Sequence, residues 1–183
     1  MVQIQYARNF VDSLGVDVNV VDWKGTLGNY NRETDTISLN LRRIIQHQKR
    51  GKKIDSFKES LTEYIKIIIC HELGHRDDDH EHRTLTDLIN EIDENNDPKF
   101  YLLDDFCDEV KSRAISVSVE KEVYAWRLGK KYVPTGLMDK YNKLNEEYIK
   151  EREERSAKSI EEMLDAKKGL AKILIEKELM GLT

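Results

Sequence analysis

Apolar side chains recur at helical spacing over residues 3–14 of this chain and stop at Gly15, which predicts an opening helix. Val18-Asn19-Val20-Val21 then reads as a short strand. Gly28-Asn29-Tyr30-Asn31, a few turn-forming polar residues and the alternating Thr36-Ile37-Ser38-Leu39 predict a hairpin or small antiparallel sheet. Residues 42–53 are basic and read as part helix, part loop. Ser56 followed by Glu59 fits a capping box, and Phe57, Leu61, Tyr64 and Ile68, three or four apart, predict a helix running into residues 71–75. The run 76–82 is too polar for a core. After it come a surface helix over 84–94, a loop at Asn95-Asn96-Asp97-Pro98, and a helix capped by Ser116 or Ser118 that ends near Lys131, before Val133-Pro134-Thr135-Gly136. From 137 to 182 the chain is highly charged, with apolar residues at 137, 141, 144 and 148 and again at Ile160, Leu164, Leu170, Ile173 and Leu174, which predicts two more helices.

The pattern implies an α+β fold. A helix-rich domain over residues 1–136 carries a small antiparallel or mixed sheet packed on the histidine-bearing helix, and residues 137–183 form a charged helical extension. A chain of 183 residues is long enough for one real core, and 39% hydrophobic and 36% charged residues with only two prolines suit helices better than a β-sandwich. The net charge of −5 arises from 35 acidic and 30 basic residues mixed along the sequence, so nucleic acid is not an expected partner. The opening residues lack a signal-peptide pattern and no long apolar run occurs, so the expected location is cytoplasmic, without membrane contact. Cys70 and Cys107 read as buried free thiols.

The candidate chemistry lies in His71-Glu72-Leu73-Gly74-His75. Histidines four apart project from one face of a helix and can reach one metal ion. Zinc suits neutral nitrogen and carboxylate ligands, with one position left for water. Glu72, turned about 100° from His71, is placed to take that water's proton as a general base. Gly74 invites close approach of another backbone. A third ligand is needed, and Glu122 is the candidate: on a helical wheel it lies between Ala125 and Trp126 on the arc of Val119, whereas Glu120 falls beside Arg127. A carboxylate on an apolar face is costly unless it is paired or binds metal. Glu120, Glu81, His80 and His82 remain alternatives. Tyr124, Tyr132, His80 and His82 are candidates for stabilising an oxyanion, and Asp104, Asp105 and Asp108 for orienting a ligand histidine.

HExxH followed by Glu122-Val123-Tyr124-Ala125 resembles the gluzincin metallopeptidases, and more narrowly the ImmA/IrrE type, whose further elements correspond to Gly28-Asn29-Tyr30, the strand Thr36 to Asn40, and Val133-Pro134. Trp126 stands where gluzincins often carry Asp or Asn. The resemblance implies a zincin-like domain that hydrolyses peptide bonds of a protein substrate, docked as an added strand on a sheet edge, with Ile37 to Leu39 as the candidate strand. It also implies a regulatory, repressor-cleaving role. The alternative is a non-catalytic, zinc-stabilised binding or regulatory module.

Overall fold

The computed structural model describes residues 2–50 and 60–180, with backbone only for Val2 and residues 47–50. The Ser56 to Glu59 capping box, Phe57 and Lys53 lie outside the described residues. The fold is helix-rich α+β with a small mixed sheet and a long C-terminal helix. Two compact units are each assembled from two stretches of chain: Met1–His80 with Glu122–Tyr148, and Glu81–Lys121 with Ile149–Thr183.

In the first unit, α1 (Val2–Ser13) ends where Gly15 takes φ +68°, a left-handed conformation that glycine adopts without a Cβ penalty. Three strands follow, β1 (Asn19–Asp22), β2 (Gly28–Asn31) and β3 (Thr36–Leu39), in the order β1-β3-β2. β2 and β3 form the expected hairpin, with Gly28 opposite Leu39 and Tyr30 opposite Ile37. β1 adds in parallel on the other side of β3, with Val20 opposite Ile37. β3 is therefore central, which corrects its reading as an edge strand: both of its hydrogen-bonding sides are used, and β2 and β1 are the edges. Period-two alternation turns Val20, Ile37 and Leu39 into the core.

Asn40 starts α2 (Leu41–Arg50), its side-chain oxygen accepting the Arg43 N–H at 3.0 Å. Next, α3 (Leu61–Asp77) is capped by Ser60, which accepts the Glu63 N–H. This helix is buried almost all round from Tyr64 to Gly74 because α1, α2 and strands β2 and β3 all pack on it. Its C-terminal end is tied to the hairpin. Arg76 donates to both carboxylate oxygens of Asp35 at 2.8 and 2.9 Å, and Tyr30 donates its hydroxyl to Asp35 at 2.8 Å. Asp35 itself adopts φ 42°, a conformation that Asp tolerates better than most residues. Asp78, in the run read as solvated, is buried at 2% exposure; its carboxylate accepts the backbone N–H of His80.

Helix α4 (Leu85–Asn95) begins with a capping box between Thr84 and Asp87 and buries Leu88 and Ile92, so it contributes to a core and is not only a surface element. These residues join Tyr101, Cys107, Val110, Ala114, Ile160 and Leu164 in the core of the second unit. Two helices run longer than the periodicity suggested. α5 (Asp104–Gly129) starts twelve or more residues before the serines read as its cap. Ser118 turns its hydroxyl back to the Ile115 carbonyl at 2.7 Å, which satisfies it inside a helix. Asp104 and Asp105, candidates for orienting a ligand histidine, occupy the first turn of α5, where carboxylates interact favourably with the helix dipole. Likewise α6 (Met138–Leu179) is one helix in place of two. No proline interrupts it, and a lone Gly169 costs only about 1 kcal/mol.

Candidate metal centre

Helix spacing brings His71 and His75 to one face of α3, their ring centroids 4.7 Å apart at 76°. Helix α5 crosses that face closely. A Cβ at Gly74 would collide with the Ala125 carbonyl group and lie 2.9 Å from the Gly129 nitrogen, and one at Gly129 would collide with the Cys70 carbonyl. Small residues at this crossing let the backbones touch, and the contact places Glu122, one turn before Ala125 and Trp126, against the histidines.

The Nε2 of His71 lies 3.2 Å from Oε2 of Glu122, and that of His75 lies 3.6 Å from the same oxygen. All three ligand atoms fall within 4.8 Å of one another. For comparison, a tetrahedral ion with bonds of about 2.0 to 2.1 Å holds neighbouring ligand atoms about 3.3 Å apart. A His-His-Glu set of this size therefore fits a divalent ion with a nitrogen and oxygen preference. Burial works to raise the Glu122 pKa, but hydrogen bonds from His71 and His75 and their charge outweigh it, holding the carboxyl well below the usual range. The Nδ1 of His75 is buried without a hydrogen-bond partner.

Glu72, at 4% exposure, points to the sheet side. A Cβ at Gly28 would land on its carboxylate and lie 2.7 Å from Cγ2 of Ile68, so the glycine in edge strand β2 makes the space that Glu72 fills. Trp126 stacks on His71 at 4.4 Å between ring centres and 34° between planes. Its backbone oxygen accepts the hydroxyl of the fully buried Tyr141 at 2.8 Å. On this side of His71 the chain supplies an aromatic wall. Tyr148 of α6, whose ring centre lies 6.0 Å from that of His71, completes the wall. It was visible in the sequence only as the last member of the 137, 141, 144, 148 stripe.

The other sequence candidates sit elsewhere. Glu120 is 42% exposed in its side chain, and its Oε2 is 3.6 Å from Nδ1 of His82, both in the second unit. Tyr124 is two residues from Glu122, about 200° round the helix. His80 stacks on Tyr124 at 4.6 Å, so both belong to the opposite side of α5. Tyr132 engages Asp77 and Lys131. Asp104 pairs with Lys168 at 3.1 Å. Among the described residues no helix is long and apolar enough to cross a membrane, and both cysteines are free and buried. Compared with protein-family models, with curated proteins and with solved structures, the chain matches none, so what can be said of it rests on a buried His71, His75 and Glu122 group in a helix-rich fold.

Proposed function

We propose that this chain is a zinc-dependent peptidase of the gluzincin type, akin to the ImmA/IrrE group, that cuts a protein substrate inside the cell. The observation that carries the reading is the triad itself: two imidazoles and a carboxylate whose ligand atoms lie within 4.8 Å of one another, with Glu72 buried one residue from His71. His71, His75 and Glu122 would hold the ion. Such an ion, when bound, acts as a Lewis acid towards water and a carbonyl oxygen. Glu72 takes a proton from the attacking water and returns it to the leaving amine as the C–N bond breaks. A site that served folding alone has no use for that buried carboxylate. The central position of β3 moves the docking edge to β2, whose outer side is unpaired in the strand order and whose Gly28 abuts Glu72. An extended peptide paired with β2 would pass beside the proton acceptor.

The test separates metal from turnover. Glu72→Gln is expected to retain near-stoichiometric zinc by elemental analysis while losing at least about 10²-fold in cleavage rate, the usual worth of a general base. Cleavage is read as new peptide termini after incubation with cell lysate or a candidate repressor. His71→Ala with His75→Ala is expected to lose the metal. Equal cleavage by wild type and Glu72→Gln refutes the peptidase reading. Bound zinc without cleavage of a proven binding partner would assign the centre to a zinc-stabilised regulatory module.

A further inference from the structure

Away from the metal centre, the loop between β1 and β2 and the first turns of α2 enclose an open cavity of about 760 Å³. That volume falls within the range of small-molecule sites, about 300 to 1,000 Å³. Its wall is firmly built. Asn40, buried at 8% exposure, donates from Nδ2 to the Gly25 carbonyl at 2.8 Å, and Arg43 donates to the same oxygen at 3.1 Å. Asn40 also receives the Arg43 N–H, so one residue fastens the loop to the start of the helix. Against this loop lies the indole of Trp23: a Cβ at Gly25 would collide with its ring and lie 2.7 Å from Cε2. Trp23 nevertheless remains 39% exposed. A large, partly exposed aromatic ring that lines the cavity and is backed by Gly25 offers a surface for stacking.

The charge around the platform is one-sided. Lys24, Arg42 and Arg43 line the cavity with a single carboxylate, Asp22. A guanidinium is suited to phosphate oxygens through paired N–H donors, and a lysine to them as a point charge. Asp22, acceptor-only when ionised, has the chemistry to receive hydroxyl donors.

We propose that this cavity binds a nucleotide, its base stacked on Trp23, its phosphates held by Lys24, Arg42 and Arg43, and a sugar hydroxyl received by Asp22. The aromatic wall and the cations together favour this ligand class over a simple anion, which has nothing to stack, and over an uncharged aromatic, which leaves the cations idle. The site is separate in sequence and chemistry from the triad, so it stands whether or not the chain is a peptidase.

The full-length chain is titrated with ATP and GTP by calorimetry and by tryptophan fluorescence. The chain has two tryptophans, and Trp126 is buried, so quenching on binding reports mainly Trp23. Saturable binding of one nucleotide per chain is expected, with adenosine alone and inorganic triphosphate alone each at least tenfold weaker. Trp23→Leu and the pair Lys24→Glu with Arg42→Glu should each weaken ATP at least tenfold by calorimetry, with unchanged thermal melts and zinc content. Triphosphate binding as tight as ATP overturns the stacking role. Affinity unchanged in both variants, or no saturation at millimolar nucleotide, overturns the site. A single-stranded oligonucleotide that binds Trp23 and is not displaced by ATP assigns the surface to a polymer and overturns the proposal as well.

Discussion

Replacing Gly74 by alanine pits two effects of known size against each other. Mid-helix, alanine is favoured over glycine by about 1 kcal/mol, which alone would stabilise α3. At this position, however, the new Cβ meets the Ala125 carbonyl oxygen, lies 2.7 Å from its carbon and 2.9 Å from the Gly129 nitrogen. Relief to ordinary contact, about 3.4 Å, would part α3 and α5 by roughly 0.7 Å for the carbon alone and by more for the nearer oxygen, and backbone cannot rotate away as a side chain could. Overpacking of this kind costs about 1 to 3 kcal/mol, and the rigid partners place it at the upper end. A net loss of about 1 to 2 kcal/mol is expected in denaturant unfolding. Parting the helices also moves Glu122 from His71 and His75, and metal ligands tolerate only about 0.2 Å, so zinc affinity should fall at least tenfold in a chelator competition. Gly169→Ala is the control, because nothing lies within 4 Å of its Cβ and the propensity gain of up to about 1 kcal/mol is unopposed. Wild-type stability and zinc affinity in Gly74→Ala would refute the reasoning.

Hydrogen bonds from Arg76, working against burial, hold the Asp35 carboxyl below its ordinary range. Its contribution is fully present above the unfolded carboxylate pKa and is lost as pH falls through the depressed folded value. Asp35→Asn should therefore cost under about 1 kcal/mol at neutral pH, the pair being partly exposed, and the gap to wild type should close in acid unfolding curves below about pH 4. Burial pushes the Cys70 thiol up to about 12 and raises Cys107 too. Alkylation near pH 8 should label neither thiol in the folded protein and both in denaturant without reductant, as mass spectrometry can count.

What could be read in the sequence was whatever one helical wheel or one strand decides. The wheel that separated Glu122 from Glu120 corresponds to a buried carboxylate beside the histidines and a half-exposed one beside His82. Gly74 in mid-helix signalled the close crossing. Illegible were the features that depend on a distant partner. A hairpin pattern shows that β2 and β3 are neighbours, but only the return of β1 across the sheet makes β3 central. Helix ends were misread where a residue has two uses: Ser118 can cap a helix or bond back within one. Asp78 looked solvated because its neighbours are charged, yet its bonds run to the backbone.

The discontinuity of the first unit bears on how the candidate metal centre is assembled. His71 and His75 leave the ribosome with residues 1–80, but Glu122 belongs to the returning stretch, after the chain has passed through part of the other unit. At about 5 to 20 residues per second, the two histidines wait several seconds for their carboxylate. During that interval α3 lacks the backbone that fits against Gly74 and the ring that stacks on His71. The order of synthesis therefore makes α5 the element that completes the His71, His75 and Glu122 group.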